Sequence, residues 1–508
     1  MSAQRLVLAV DFGQTACKAA YVDASGTFVA IGRAASRGLP GHGFGPEDGE
    51  RIWQTFVAAV HAANAEPVEK SGNADQFADR PGHRSPVAGS GAAPLAIALS
   101  SRIGLGVYLD DANQPIAVPE AASEELADEL DLICTAAPWD DDALGSYAPL
   151  LVARALRFRA LAPNLWHRVR RVGAFHDWLL LRLTGRWATN PATGPSAMAW
   201  PAQARKLLGL PEDALPEITD FSGIVGGLTR GAADALGLPE GTPVVAGYHD
   251  GSAATLGVGV RNDGDACITL GTSVALRVVR NGPISGWFRY AIAPGRLAWM
   301  RGLEFAFAQI DQVAANLAGL GETVRPEAIS TAHQELTRPA VTVPPGSNGL
   351  ALPVLPPDTM ATRLDAVRAA EAHGFSPGAI YRAALEGLAL GVAGLAERAR
   401  EANLRPLRYV ATGGGTNNPL LVEMLSAVLR QPIEIGDVEG GIRGAAIAAS
   451  VGASLYPNLD AASAAMIPRW PSRSAPRSVV EAYRPIVERT PIEPDPWETR
   501  PYWRLLPT

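Results

Sequence analysis

Leu6 to Lys18 reads LVLAVDFGQTACK. Apolar residues run into Asp11, Gly13 and Thr15, which predicts a buried strand with an acidic tip and a tight glycine turn. Ala16 to Val22 alternates enough to pair back as a hairpin, and Asp23 to Gly26 makes the next turn. A second segment, Ala246 to Gly257, reads AGYHDGSAATLG and sets Asp250 at the end of an apolar run, just ahead of small residues. Two acid-tipped strands predict one cleft between two halves, and the position of Asp250 suits a buried base.

The pattern repeats further along. Ala266 to Leu270 reads as a strand, Gly271-Thr272-Ser273 as a tight turn and Val274 to Val279 as the return strand, so strand, Gly-Thr/Ser turn, strand occurs once per half. Between these anchors, Pro46 to Val60 has an acidic start and Ile52, Phe56, Val57 and Val60 at helical spacing. Glu66 to Pro94 is rich in Gly, Pro, Ser, Ala and charge and reads as a surface insertion. Leu95 to Ser100 is strand-like, Leu150 to Leu183 helical, and Thr242 to Tyr248 a buried strand that closes the first domain. Later, Tyr381 to Arg400 is a long helix and Tyr409 to Thr412 a strand entering Gly413-Gly414-Gly415, with a helix from Leu420. Beyond Tyr456 the chain is rich in Pro, Arg and Trp, including Trp470, Trp497 and Trp503, and is expected to be a tail wrapped over the surface or an oligomer contact. The expected division is 1–248, 249–457 and a C-terminal extension over 458–508.

At 508 residues the chain exceeds a single core and should hold two or more domains. An apolar share of 47% against 19% charged fits a globular chain, and a formal net charge of -7 argues against nucleic acid, which needs clustered positive charge. Cys17, Cys134 and Cys267 are scattered without disulfide or zinc spacing, which fits a reducing cytoplasm. The apolar run Leu6 to Val10 is too short for a signal-peptide core, and no stretch of membrane-spanning length is evident, so neither export nor a membrane partner is expected.

Phosphate binding needs backbone N–H groups aimed at one spot, which Gly13-Gln14-Thr15 and Gly271-Thr272-Ser273 can supply with hydroxyls to spare. Either turn alone is more often a plain hairpin turn; their placement after acid-tipped strands raises them. Gly413 to Gly415 lacks the G-x-G-x-x-G pattern of a dinucleotide fold, so a nucleotide base or ribose lying on the glycines is the better functional reading, beside a simple helix-entry loop. No P-loop and no HExxH segment occurs. Asp11 and Asp250 are natural anchors for a hydrated Mg²⁺, though a strand-end Asp is commonly a cap or turn residue. His249 reads first as a hydrogen-bonded structural histidine, and Arg102 as either a substrate contact or a surface ion-pair residue.

With those residues assembled, the chain resembles the FGGY family of carbohydrate kinases, of the actin, sugar-kinase and Hsp70 superfamily, over roughly Leu6 to Pro457. The resemblance implies an α/β fold of two actin-like (ribonuclease H-like) domains with a deep interdomain cleft. DFGQTACK is similar to the family's first phosphate segment and implies that Asp11, Gly13, Gln14, Thr15 and Lys18 lie by Mg-ATP, with Gln14 in place of the usual hydroxyl residue. AGYHDGSAATLG resembles the segment carrying the catalytic base, which assigns that role to Asp250, with His249 and Arg102 on the substrate side. CITLGTS resembles the second phosphate motif, implicating Gly271, Thr272 and Ser273. ATGGGTNNPLLVEML resembles the adenosine motif, placing Gly414, Gly415 and Asn418 near the nucleotide, and EGGIRGAAIAA the closing helix with Glu439 and Gly444.

The implied activity is ATP- and Mg²⁺-dependent phosphorylation of a sugar, polyol or sugar acid, in a cytoplasmic enzyme with no nucleic-acid partner and with a homodimer left open. Departures fall on the sugar side: Ser101-Arg102-Ile103-Gly104 replaces Gln-Met-His-Gly or Asn-Gln-Arg-Glu, Pro119 to Ser123 replaces Trp-x-Asp, and Gly-Glu-Arg-[AS]-Pro is missing near Pro353 to Thr359. The stretch from Asp250 to Val279 leans to the gluconate and xylulose kinase branches. The rival readings are a non-catalytic nucleotide- and sugar-responsive binding protein on the same scaffold and an NAD-dependent enzyme resting on the triple glycine.

Overall fold

The computed structural model describes residues 5–36, 43–65, 93–119, 126–136, 148–194, 200–282, 284, 286–321, 326–355 and 360–490. The first half contributes strands β1 (Leu6–Phe12), β2 (Ala16–Asp23), β3 (Phe28–Ala35), β4 (Ile97–Ser101), β5 (Gly106–Leu109), β6 (Arg171–Ala174), β7 (Ala188–Thr189), β8 (Glu217–Ile218), β9 (Ile224–Gly227) and β10 (Pro243–His249). The second contributes β11 (Asp265–Leu270), β12 (Val274–Val279), β13 (Phe288–Ala293), β14 (Arg296–Leu303), β15 (Arg408–Thr412), β16 (Ile433–Ile435) and β17 (Ser472–Arg473). The helices that matter below are α1 (Pro46–Ala65), α2 (Phe175–Thr184), α3 (Arg230–Leu236), α4 (Asp250–Gly257), α5 (Ala306–Leu317), α6 (Pro377–Glu401), α7 (Pro419–Leu429), α8 (Gly440–Gly452), α9 (Leu459–Met466) and α10 (Arg477–Arg489).

Two mixed sheets result, in the orders β3-β2-β1-β4-β10-β9 and β13-β14-β12-β11-β15-β16-β17. They repeat one plan. In each, a hairpin (β1/β2, β11/β12) is extended by an antiparallel strand, its first strand runs parallel to a later one (β4, β15), and a third parallel strand (β10, β16) carries an antiparallel edge (β9, β17). The expected hairpin repeat is therefore present in the topology.

β1 is apolar without alternation because both of its faces are covered. Leu6, Leu8, Val10 and Phe12 pack with α1, α2 and α3 side chains such as Phe56, Leu179 and Leu236, whereas Val7 and Ala9 meet Ala253 and Leu256 of α4 and Ile442 and Ala446 of α8. The second core lies between its sheet and helices α5, α6 and α7. Among the described residues α6 is long and apolar enough to cross a membrane, but 78% of its apolar window is buried inside the protein, which makes it a core helix.

Two expectations are corrected. The helical run over Leu150 to Leu183 is broken into a helix at Ala148–Leu161, a short turn at Pro163–Trp166, strand β6 and then α2. Pro163 can open a helix but not continue one, and Val172 and Gly173 pair instead with Tyr108 and Val107 of β5. The chain after Tyr456 is not a wrapping tail as far as residue 490: it adds α9, the edge strand β17 and α10. Tyr483 of α10 is 0% exposed and donates to Glu386 at 2.7 Å while accepting from Arg382 at 3.0 Å. The insertion at 66–92, residues 120–123, residues 356–359, Trp497 and Trp503 lie outside the described residues.

Candidate active site

The carboxyl ends of β1, β4 and β10 lie side by side, the edge at which open α/β sheets receive ligands. Phe12 is level with Ser101, and Ser101 with His249. Asp11, one residue back on β1, is level with Ser100, whose hydroxyl donates to Oδ1 at 2.7 Å. Asp250 follows His249 as the first residue of α4, and its Oδ1 accepts from the Gly251 N–H at 2.7 Å. Its side chain is 44% exposed and open to a ligand. Both acids thus stand at the edge of one sheet with β4 between their strands, whereas the sequence division put them in different halves; the second half contributes two glycine turns.

Those turns sit at the ends of β11 and β15. Thr269 is level with Thr412, so Gly271-Thr272-Ser273 and Gly413-Gly414-Gly415 are neighbours. The first turn is tied to the start of α5: Ser273 Oγ accepts from the Phe305 N–H at 3.0 Å and the Thr272 carbonyl from Ala308 at 3.2 Å. Gly413 has φ +95°, and a Cβ there would lie 2.7 Å from the Leu270 carbonyl, so only glycine lets the two turns approach. Gly414 faces open space and Gly415 packs under Phe307. The Asn418 amide is occupied by the fold, its oxygen capping α7 at Leu420 and Leu421 and its nitrogen donating to Thr337 at 3.1 Å and Tyr381 at 3.0 Å.

Electrostatics separate the two acids. Burial, outweighing the Lys18 charge and the Ser100 hydrogen bond, raises Asp11 to about 6, and the Asp250 and Glu439 charges add to the rise. A Cβ on Gly441 would lie 2.8 Å from Asp11 Oδ2, so the first turn of α8 closes over this carboxylate. Burial would also raise Asp250, but the adjacent His249 ring, the Gly251 N–H and the Arg277 charge bring it below the ordinary carboxylate value. Lys18 is held by Glu439 at 2.8 Å, and Arg33 reaches the other oxygen at 2.5 Å, so the lysine expected on phosphate is ion-paired across to the start of α8.

Gly13, Gln14 and Thr15 form a turn closed by the Gly13 N–H on the Ala16 carbonyl at 3.0 Å, with Gln14 and Thr15 exposed. His249 is 1% exposed and caps α4 by accepting from the Ser252 N–H at 3.3 Å, so it shapes the site rather than facing it. Arg102 stands one residue past Ser101, half-buried, its N–H on the Phe12 carbonyl at 3.2 Å. Ser100, His176 and Arg277 escaped the sequence reading. His176 is fully buried, pushed down to about 4 by burial, and joins Ser101 Oγ at 2.9 Å to the Ala246 carbonyl at 2.6 Å, fixing β4 against β10. Arg277 had a visible signal, a charge inside the apolar strand VALRVV. Among the described residues no cluster of three or more His, Cys, Asp or Glu side chains could hold a metal.

The FGGY family models match the chain twice: the N-terminal domain over residues 158–257 and the C-terminal domain over residues 266–453. An autoinducer-2 kinase of Enterobacter sp. (strain 638) is 26% identical over 345 residues, 62% of this chain and 63% of that one. A xylulose kinase of Escherichia coli (strain K12) is 27% identical over 323 residues, 61% of this chain and 64% of that one. The alignments span a little under two thirds of these curated relatives. Among solved structures, a xylulose kinase from Rhodospirillum rubrum superposes with a TM-score of 0.71 at 21% identity, covering 95% of this chain and 97% of that one. A gluconate kinase from Lactobacillus acidophilus gives 0.73 at 15% identity and 96% of both chains. The fold is that of these kinases, two actin-like halves.

Proposed function

Since the chain belongs to the FGGY family of carbohydrate kinases, we propose that it transfers the γ-phosphoryl group of ATP to a hydroxyl of a small polyhydroxylated acceptor, a ketose, polyol or sugar acid. The observation that carries this reading is a pair of carboxylates at the carboxyl edge of one sheet, each met by a group of the second half, Asp11 by Gly441 and the Asp250 turn by Arg277, while the two glycine turns of that half lie together at the ends of β11 and β15. Asp250, ionised and partly exposed, takes the alcohol proton as the alcohol oxygen bonds to γ-phosphorus and the bond to the ADP oxygen breaks. The N–H groups of Gln14 and Thr15 and of Gly271 to Ser273 donate to phosphate oxygens, and the nucleoside lies along Gly414 and Gly415, with Asn418 holding the exit of that loop. Lys18 joins the phosphates by exchanging Glu439 for them.

The donor chemistry fits Mg²⁺. Asp11 is pushed to about 6 by burial and by neighbouring negative charge, which a dication relieves, and a pair of carboxylates matches an ion that keeps water and phosphate ligands. Such an ion supplies charge neutralisation on the phosphate oxygens; Asp11 and Asp250 would hold it.

The test is ADP release by the purified protein with Mg-ATP across a panel of ketoses, polyols and sugar acids. Acceptor-dependent ADP is expected. Nucleotide binding without ADP release on any acceptor would favour the second reading, a nucleotide-responsive binding protein, for which the Lys18–Glu439 pair is the supporting observation.

A further inference from the structure

Arg277 lies on β12 opposite Cys267 of β11, and its side chain reaches toward the base. Nε donates to the Tyr290 hydroxyl and Nη1 to the Thr269 hydroxyl. A Cβ built on Gly251 would lie 3.2 Å from Nη2 and 3.3 Å from Nε, so the guanidinium lies against the first turn of α4, one residue from Asp250. Its hydrogen-bonded partners are neutral hydroxyls, and among the described residues no carboxylate stands within ion-pair distance of it. Asp250 is the one carboxylate whose charge is felt there.

Arg102 follows the strand end next to the one that leads to Asp250. It stands one residue past Ser101 on β4, and Asp250 one residue past His249 on β10, with Ser101 and His249 in register. It too is half-buried and makes no ion pair among the described residues. A half-buried guanidinium lying against the first turn of the base's helix is poorly matched to a neutral polyol, because a partly desolvated cation lacks a counter-charge. The planar guanidinium fork fits a carboxylate in two parallel hydrogen bonds.

We propose that the acceptor is a polyhydroxylated carboxylic acid whose carboxylate is received by Arg277, with Arg102 closing on it from the opposite sheet. This rests on the kinase reading only for the acceptor's place beside Asp250. An oxygen of the transferred phosphoryl group is the other anion that could use Arg277, and the experiment separates the two.

Matched acids and alcohols, D-gluconate with D-glucitol and D-xylonate with xylitol, are compared with D-xylulose for kcat/KM and, by calorimetry with a non-hydrolysable ATP analogue, for binding. The acids are expected to exceed the alcohols by about a hundredfold, the effect of one hydrogen bond to a charged group. Arg277→Gln should remove that preference while leaving the KM for ATP within about twofold, and Arg102→Gln should reduce it in part. Equal or better use of D-xylulose or the alcohols by the unaltered protein overturns the inference and leaves the kinase reading standing. A rise in the KM for ATP with the acid preference intact in Arg277→Gln assigns Arg277 to phosphate and also overturns it. Arg277-dependent binding of the acids without ADP release upholds the inference and removes the kinase reading.

Discussion

Asp11 and Asp250 are both carboxylates at strand ends, yet their surroundings push them in opposite directions, a division that separates roles at active sites. Asp11 at about 6 in the free protein means that protons would compete with the proposed cation there. Mg-ATP affinity should therefore hold from pH 8 to about 6.5 and weaken as pH falls through about 6, approaching tenfold per unit. Asp11→Asn should be weak and flat in the same titration, and an unaltered protein flat to pH 5 would contradict this. Asp177 in α2 is a second raised carboxyl, at about 7 because burial outweighs the Thr189 hydroxyl and the Ala174 N–H, the latter donating to it at 2.7 Å. Because the fold raises it, its contribution to stability is full below the ordinary carboxylate range and is lost as pH rises through about 7. Asp177→Asn keeps the cap, so its melting temperature should gain on the unaltered protein between pH 4 and 7 and hold that gain above; a difference independent of pH would refute the assignment.

Helices α4 and α8 are the elements that join the two halves at the site. α4 begins with Asp250, α8 begins beside Glu439, and the two pack so closely that a Cβ on Gly444 would fall 2.1 Å from the Ala253 carbonyl. Backbone cannot yield as a side chain can, so Gly444→Ala should destabilise by about 3 kcal/mol in denaturant unfolding. Gly231 in α3 meets nothing within 4 Å, and Gly231→Ala should stay within about 1 kcal/mol. Equal effects would mean that the crossing is not tight. Beside this joint, Arg443 of α8 is 0% exposed, pairs with Asp437 at 2.6 Å and stacks on Phe28 at 4.6 Å and Trp470 at 5.7 Å. Trp470, expected in a surface tail, is thus part of the seam between the halves.

At the scale of the molecule, hairpins and glycine turns were legible because their signals are local: apolar runs, an acid, then glycine. The repeat β1/β2 and β11/β12 follows directly from Leu6 to Lys18 and from Ala266 to Val279. What was not legible depends on partners distant in the chain. Strand β6 needs β5, sixty-odd residues earlier, to outcompete a helix, and α10 is recognisable only through the buried Tyr483, Arg382 and Glu386 contact. Likewise, Asp11 and Asp250 stand at one sheet edge because β4 lies between the strands that lead to them, which no spacing in sequence reveals. Arg277 was visible as a charge in an apolar strand, but its meaning required Gly251 beside it.

The proposed role of Asp250 is to accept the proton of an acceptor alcohol at a nucleotide site assembled from both sheets. Its most direct test is ADP release in the presence of an acceptor found by the panel, comparing the unaltered protein with Asp250→Asn while ATP affinity is measured on both. A fall in kcat of about 10² to 10⁴ at saturating Mg-ATP is expected. Unchanged kcat in Asp250→Asn would contradict it.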